Sequence, residues 1–461
     1  MLFWAEAGAN HLLVNCRPSD GCLSTLWWLD VNHALVDCRP ARGKIGKMLL
    51  YPRNLKPNII AAAGDTPVIL VNGARQTGKS TIMQSLFSVD APAYVTLDEM
   101  TVLGAARAHP QSFIESLPEK VILDEIQRAP ELMLPIKLSV DRNRKPGRFF
   151  LTGSADVMSL PKVSDSLAGR IEIHTLWPLS QGEIRGSREG FIDALFSDSK
   201  LSQIKAMPLN EIIALATIGG YPDVQNRAEE RRYGWFDSYI SSLMERDVRD
   251  LSHVEKLTAL PNLLALLASR AGSLLNNSDL SRSLEIPLST LKRYLSLLEL
   301  LFLVVPVRPW FSNVGKRLIK VPKIYLNDTG LVCHLLNADK KAIAANGSLL
   351  GAVIENFVVM ELIKQLSWSD TRAKLFHFRT LNGQEVDFVL EAADGRIVGI
   401  ECKAGSAVRQ ESLKGLLALK ELAGKKFHRG IVLYSGTHVI GVAEDMQAVP
   451  IPALWETVVA G

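Results

Sequence analysis

Residues 71 to 81 read Val71-Asn72-Gly73-Ala74-Arg75-Gln76-Thr77-Gly78-Lys79-Ser80-Thr81, and the apolar run Pro67-Val68-Ile69-Leu70 leads directly into them. The spacing is G-x-x-x-x-G-K-[ST], the phosphate-binding loop, and it stands where such a loop works: a buried strand feeds it and a helix over residues 81 to 87 leaves it. Backbone amides from Gly73 through Ala74, Arg75, Gln76 and Thr77 to Gly78 are expected to curl around phosphates. Lys79 is expected to reach the β- and γ-phosphates, Ser80 to ligate Mg²⁺, and Thr81 to open a helix whose amides favour an anion. A glycine turn between strand and helix is the plainer alternative. The strand-loop-helix context favours the nucleotide.

Downstream, short apolar runs alternate with helical patterns, the order of a parallel sheet flanked by helices. Ala93-Tyr94-Val95-Thr96-Leu97 reads as one strand, ending at Asp98-Glu99, and Glu119-Lys120-Val121-Ile122-Leu123-Asp124-Glu125 as the next. The second delivers two acids to the carboxyl end of a buried strand, where ligands sit in open α/β sheets. A buried carboxylate is costly unless it meets a metal or a hydrogen-bond donor. Asp124 is therefore expected in the Mg²⁺ shell and Glu125 beside the attacking water. In the third strand, Arg148-Phe149-Phe150-Leu151-Thr152-Gly153-Ser154, either hydroxyl, Thr152 or Ser154, stands where it would sense a γ-phosphate or hold the lytic water. A turn or helix cap accounts for Thr-Gly-Ser equally well. Ser166-Leu167-Ala168-Gly169-Arg170 then offers an arginine suited to the charge on a transferring phosphoryl group, in its own subunit or from a neighbour, although most arginines are surface charges.

Together with Gly219-Gly220-Tyr221-Pro222 and Glu245-Arg246-Asp247, these segments resemble one bacterial and archaeal family, the AAA-type ATPases that carry a C-terminal domain of unknown function. The resemblance covers roughly residues 48 to 445. It implies ATP binding and hydrolysis; with the residue reading, the expected cofactors are ATP and Mg²⁺ and the expected catalytic residues Lys79, Glu125 and Arg170. No guanine-reading Asn-Lys-x-Asp is present.

Residues 205 to 250 read as helical, with Phe236, Tyr239, Ile240 and Leu243 on one stripe and Glu245, Arg246, Asp247 and Arg249 at a salt-bridged end. Residues 259 to 307 suggest a winged helix: helices over 260–270, 278–284 and 289–301, then wing strands at Leu303 to Val307 and Lys323-Ile324-Tyr325-Leu326. Lys292 and Arg293 lie near the start of the third helix, where recognition helices meet DNA. Two basic residues leave DNA binding and protein contact balanced.

From Gly351 the order becomes helix, three strands, helix, strand. Glu355 falls on the apolar stripe of a helix over 352–366, with Ala352, Val359, Leu362 and Leu366. The alternation in Glu385-Val386-Asp387-Phe388-Val389-Leu390 sends Val386, Phe388 and Leu390 one way and Asp387 the other. In Ile397-Val398-Gly399-Ile400-Glu401-Cys402-Lys403, Glu401 and Lys403 share a face. Three acids can hold Mg²⁺ through oxygen, and a lysine beside them can stabilise the attacking hydroxide. The constellation resembles the restriction-endonuclease fold, with Glu355, Asp387, Glu401 and Lys403 at that superfamily's metal and catalytic positions. It departs from the pattern in having no proline before Asp387. An unrelated Glu355 beside a Glu-x-Lys ion pair is the alternative.

The chain has 461 residues, is 47% hydrophobic and 22% charged, and carries a formal net charge of +4, so any nucleic-acid surface has to be local. Its start lacks a basic segment before an apolar one and no stretch has membrane-span length, so the expected location is the cytoplasm and no membrane partner is expected. Five cysteines make no disulfide framework, and the spacing of Cys16, Cys22 and Cys38 is not that of a zinc site. Residues 1–47 show neither helical nor strand periodicity, and Met48 reads as an alternative start. The expected fold is α/β: an unstructured extension (1–47), a P-loop AAA-type parallel sheet with flanking helices (48–200), a helical segment (201–258), a winged-helix-like domain (259–345) and a restriction-endonuclease-like α/β domain (346–461). The expected function is a Mg²⁺-dependent ATP hydrolase whose nucleotide cycle drives or switches a nucleic-acid-associated module, with DNA or RNA as partner. The competing reading is a regulatory ATPase acting on a protein partner, its endonuclease-like domain inactive and used for assembly. An arginine acting in trans would require a homo-oligomer.

Overall fold

The computed structural model describes residues 50–87, 91–156, 167–199, 201–202, 204–247, 259–311 and 321–458, with the backbone of 11–15 and 26–30. Cys16, Cys22, Cys38, Met48, Ser166, Arg249 and the side chains of Arg246 and Asp247 lie outside the described residues. Two units are distinct, Met1–Pro52 and Arg53–Gly461. In the first, β1 (His11–Asn15) pairs antiparallel with β2 (Leu26–Asp30). The sequence reading missed this ladder because both strands are apolar through their centres and show no alternation.

The second unit begins with a five-stranded parallel sheet: β3 (Val68–Asn72), β4 (Ala93–Thr96), β5 (Val121–Asp124), β6 (Phe149–Gly153) and β7 (Ile171–Thr175), in the order β4-β5-β6-β3-β7. Strand β3 is buried along its whole length, as a parallel strand covered on both faces must be. Its residues alternate between two cores. Val68 and Leu70 pack with Leu123 and Leu151 on one face, while Ile69 and Val71 pack with Ile82 and Phe150 on the other. The chain crosses from one side of β3 to the other, and both the loop after β3 and the acids after β5 leave the sheet at its carboxyl edge.

A helical middle region follows, with helices Leu209–Ile218, Glu229–Ser242, Ala259–Ser269, Asn277–Ser283 and Leu288–Leu300. Phe236, Tyr239 and Leu243 are buried as the stripe predicts, and Ile240 is half-buried. Strands β8 (Val304–Val307) and β9 (Lys323–Leu326) form an antiparallel pair, and Lys292 and Arg293 are exposed.

The C-terminal sheet is mixed and six-stranded: β10 (Ala373–Arg379), β11 (Glu385–Ala392), β12 (Ile397–Lys403), β13 (Phe427–Tyr434), β14 (Ile440–Ala443) and β15 (Met446–Pro450), ordered β10-β11-β12-β13-β15-β14. Helix Gly347–Leu366 covers one face and helix Lys414–Ala423 the other. The sheet and its long helix depart from the expected pattern in two ways. The register of β10 on β11 shifts between Phe376 and Phe378, so β11 carries an extra residue between Val386 and Val389. This bulge interrupts the strict alternation, and Val386 joins one core while Phe388 and Leu390 join the other. The helix Gly347–Leu366 is buried nearly all round rather than along one stripe, because it is wedged between the sheet and the middle helices. One hydrophobic core thus runs from the middle region into the C-terminal sheet. No helix among the described residues is long and apolar enough to cross a membrane.

Candidate functional site

The loop after β3 needs its glycines. Gly73 has φ +143°, and a Cβ there would stand 2.2 Å from the Leu176 carbonyl oxygen; Gly78 has φ +92° and begins helix Lys79–Gln84. Gln76 also takes a positive φ of 62°. Thr77 Oγ1 donates to the Ala74 carbonyl at 3.0 Å, and the buried Lys79 Nζ reaches the same oxygen at 2.9 Å, laying the ammonium across the loop. Ser80 is half-buried and Thr81 exposed.

Across the sheet edge, Ser80 Oγ donates to Asp124 Oδ1 at 2.8 Å. Asp124 is further held by Thr152 Oγ1 on Oδ1 and by Tyr94 OH on Oδ2 at 2.6 Å. Glu125 adopts the left-handed conformation, φ 60°, where a side chain other than glycine's is strained. Its amide donates to Thr152 Oγ1 at 3.2 Å, and its carboxylate accepts from Gln127 Nε2, which also donates to Ser154 Oγ at 2.8 Å. Lys79, Ser80, Asp124, Glu125, Thr152 and Ser154 are therefore brought to one sheet edge. Ser80 and Asp124 offer two hard oxygens whose separation matches adjacent corners of an octahedron with bonds of about 2.1 Å, so the donor set fits Mg²⁺.

Arg170 is not brought there. It precedes β7, its carbonyl accepts from the Val68 amide at the start of β3, and its guanidinium bonds Asp141 Oδ1 at 2.5 Å. The loop leaves the far end of β3, about 17 Å along a five-residue strand. Within its own subunit, Arg170 is a surface charge bound to a neighbouring acid.

Sequence reasoning missed four residues at this edge. Tyr94 and Gln127 orient the two acids, as described. Arg53 donates to the Thr77 carbonyl at 2.7 Å and to the Trp177 carbonyl at 2.6 Å, bracing the loop from behind. Tyr239, from the middle region, reaches the Arg75 carbonyl at 3.4 Å and shares a 2.8 Å hydrogen bond with Tyr221 OH, which accepts from Asn327 Nδ2 at 3.0 Å. The Tyr221 of the Gly-Gly-Tyr-Pro segment thus lies between the phosphate loop and β9. Only the Leu123 to Gln127 and Gly219 to Pro222 motifs carried a local signal of any of this.

The segment after β7 docks the long helix through buried charge. Arg53 Nε pairs with Glu183 Oε1 at 3.1 Å, and Glu361 Oε2 accepts from the Gln181 amide at 2.9 Å. Lys364 Nζ joins Glu361 Oε1 at 2.7 Å and the Leu179 carbonyl at 2.9 Å. Glu189 accepts from the Gly182 amide at 2.6 Å and from Asn54 Nδ2 at 2.5 Å, yet burial and then the nearby Glu361 push its carboxyl up to about 7. A carboxyl raised in the folded state contributes stability that is full below its unfolded value and is lost as pH rises through about 7. The thermal midpoint should therefore fall from roughly pH 4.5 to 7 and level off above that, a loss of at most about 3 kcal/mol. Glu189→Gln should make that fall shallower, and a variant that keeps the full wild-type slope would contradict the assignment.

At the C-terminal sheet, Glu355, Asp387, Glu401 and Lys403 do converge, but with a fifth participant. Lys323 Nζ, on β9, stands 3.0 Å from Glu355 Oε1, 2.5 Å from Glu385 Oε1 and 3.2 Å from Asp387 Oδ1. Asp387 Oδ2 accepts from the Cys402 amide at 3.0 Å, Tyr325 OH donates to Glu355 Oε1 at 2.7 Å, and Lys403 Nζ pairs with Glu401 Oε1 at 2.7 Å. Burial, followed by the charge of Asp387, raises the carboxyls of Glu355 and Glu401. Burial alone would lower the Lys323 ammonium, but Asp387, Glu355 and Glu385 more than reverse it and hold the ammonium charged.

Residues 65–185 match the family model described as an AAA domain, residues 209–342 a domain of unknown function (DUF8612), and residues 350–454 a second (DUF4143). Over 409 residues the chain is 31% identical to an uncharacterized protein of Mycobacterium tuberculosis and to one of Mycobacterium bovis, covering 88% of this chain and 85% of each relative. An uncharacterized protein of Haemophilus influenzae is 23% identical over 379 residues, 76% of this chain and 86% of its own. Among solved structures, a Walker-type ATPase of Pyrococcus abyssi is similar at 15% identity and a TM-score of 0.39, covering 62% of this chain and 96% of that one.

Proposed function

The chain belongs to the family of AAA-domain proteins whose C-terminal half carries the domains of unknown function DUF8612 and DUF4143, and from that premise we propose that it binds ATP with Mg²⁺ and hydrolyses it at the β3–β5–β6 edge. The observation that carries this reading is the 2.8 Å contact between Ser80 and Asp124, which joins two motifs 44 residues apart around one position for a cation. The bound ion would supply positive charge to the phosphate oxygens. The loop amides and Lys79 hold the β- and γ-phosphates, and Ser80 and Asp124 hold the ion, with Thr152 and Tyr94 fixing the orientation of Asp124. Glu125 takes the proton of the attacking water, and Gln127 with Ser154 sets where its carboxylate points. Arg170 has no part in the same subunit's site; it could serve only a neighbouring copy. Phosphate release from ATP by Lys79→Ala and Glu125→Gln variants tests these roles.

The modules in this proposal are the ATPase (48–200), a helical segment (201–258), a winged-helix-like unit (259–345) and an endonuclease-like domain (346–461). The three helices followed by β8 and β9 support the winged helix. The helix, the three-strand meander and the convergence of Glu355, Asp387, Glu401 and Lys403 support the endonuclease-like fold. Two readings of its use stand side by side, a nucleic-acid-processing module and a binding or assembly module, and the position of Lys323 among the acids favours the second. DNA or RNA incubated with the full chain, Mg²⁺ and ATP should stay intact. Degradation by wild type that an Asp387→Ala plus Glu401→Ala variant lacks would restore the first reading.

A further inference from the structure

Lys323 belongs to β9, a strand outside the endonuclease-like sheet, and only 3% of its surface is exposed. Its three N–H groups are matched by three carboxylates, from Glu355, Glu385 and Asp387. Two of those, with Glu401, are the acids that metal-dependent cleavage would employ. We infer that Lys323 is the resident cation of this cluster, and that the cluster is a latch fastening the β8–β9 pair to the C-terminal sheet, not a divalent-metal site.

The residues present do not fit a metal. An ion shared by Asp387 and Glu355 would sit beside an ammonium that already holds one oxygen of each, and the two like charges would repel. The other Asp387 oxygen takes the Cys402 amide, and the occupied Glu401 oxygen takes Lys403. Glu401 Oε2 is buried without a partner, but one oxygen is not a coordination shell. Among the described residues, no group of three or more His, Cys, Asp or Glu is arranged to hold a metal ion.

The neighbours of Lys323 on β9 are tied to the same helix. Tyr325 OH meets Glu355, and the Leu326 amide and carbonyl are both bonded by the Asn356 side chain, at 2.9 and 3.0 Å. Gly272 closes the other side of Glu355: a Cβ there would stand 3.0 Å from Oε1. Removing one partner from such a set leaves buried charge uncompensated, which is how a latch gains its hold.

This inference deepens the non-cleaving reading of the C-terminal half, and metal binding tests it separately from cleavage. Binding of Mn²⁺ alone to the nucleotide-free full chain is followed by electron paramagnetic resonance for wild type, an Asp387→Asn plus Glu401→Gln variant, and Lys323→Met. Wild type and the double variant should bind identically, since any ion at the phosphate loop is common to both. Lys323→Met should gain a site at least tenfold tighter than any in wild type. A Mn²⁺ ion held by wild type and lost in the double variant overturns the inference, as does a folded Lys323→Met that binds no more tightly than wild type. Should Lys323→Met not fold, the comparison of wild type with the double variant decides alone. Mn²⁺ held at Asp387 without nucleic-acid degradation would end the latch and leave the non-cleaving reading standing.

Discussion

Lys79→Ala is expected to abolish ATP turnover and to weaken ATP binding by about a hundredfold or more. The lysine supplies a full positive charge at the loop, already buried and lying across the Ala74 carbonyl. A charge-assisted hydrogen bond contributes about 1.5–3 kcal/mol, and in the proposed site the ammonium donates to both the β- and γ-phosphates. Together these correspond to two or more decades in affinity. The fold should survive, because the two cores of the parallel sheet do not depend on this side chain. Equilibrium binding of a fluorescent ATP analogue, with a thermal midpoint to verify folding, checks the prediction. Wild-type affinity in the folded variant would remove the loop from the account.

Glu125→Gln should separate binding from chemistry. The substitution keeps size and polarity but removes the proposed base, a role that contributes roughly 10²–10⁴ in rate. ATP affinity should stay near wild type, because Glu125 lies on the β5 side of the edge and the loop amides, Lys79 and Ser80 are untouched. Its neighbours sharpen the expectation. The Gln127 amide bonds the Glu125 carboxylate and the Ser154 hydroxyl, while the Glu125 amide leans on Thr152. The left-handed backbone at Glu125 is a strained conformation held by these contacts, and such outliers cluster where a side chain must be aimed. Single-turnover phosphate release should fall at least a hundredfold while the bound fraction of ATP is unchanged. Full turnover in Glu125→Gln would give the base to another residue.

The phosphate loop was legible because its chemistry is local: strand, loop and helix follow one another, and the glycines at 73 and 78 announce their positive φ. The acids at 124 and 125 were legible for the same reason, as the end of an apolar strand. What brings partners from far along the chain leaves no such trace. Arg53 reaches Thr77 across 24 residues and Tyr239 reaches Arg75 across 164, and nothing in either neighbourhood marks it. Arg170 misled because proximity in sequence to a strand says nothing about which end of the sheet it occupies. It enters β7, so it sits at the amino edge. Asp387 was read from strict alternation, and a bulge adds a residue that periodicity alone cannot foresee. Lys323 was one basic residue before an apolar triplet, indistinguishable in sequence from a wing strand's exposed end. Only the fold shows it buried among three acids.

If the β3–β5–β6 edge hydrolyses ATP, purified wild-type chain must release inorganic phosphate in a way that depends on the metal, measured with Mg²⁺ and again with the metal chelated. Phosphate should accumulate with repeated turnover in Mg²⁺ and cease on chelation. ATP that binds in the presence of Mg²⁺ yet releases no phosphate would contradict the account and leave the site a nucleotide-binding switch without chemistry.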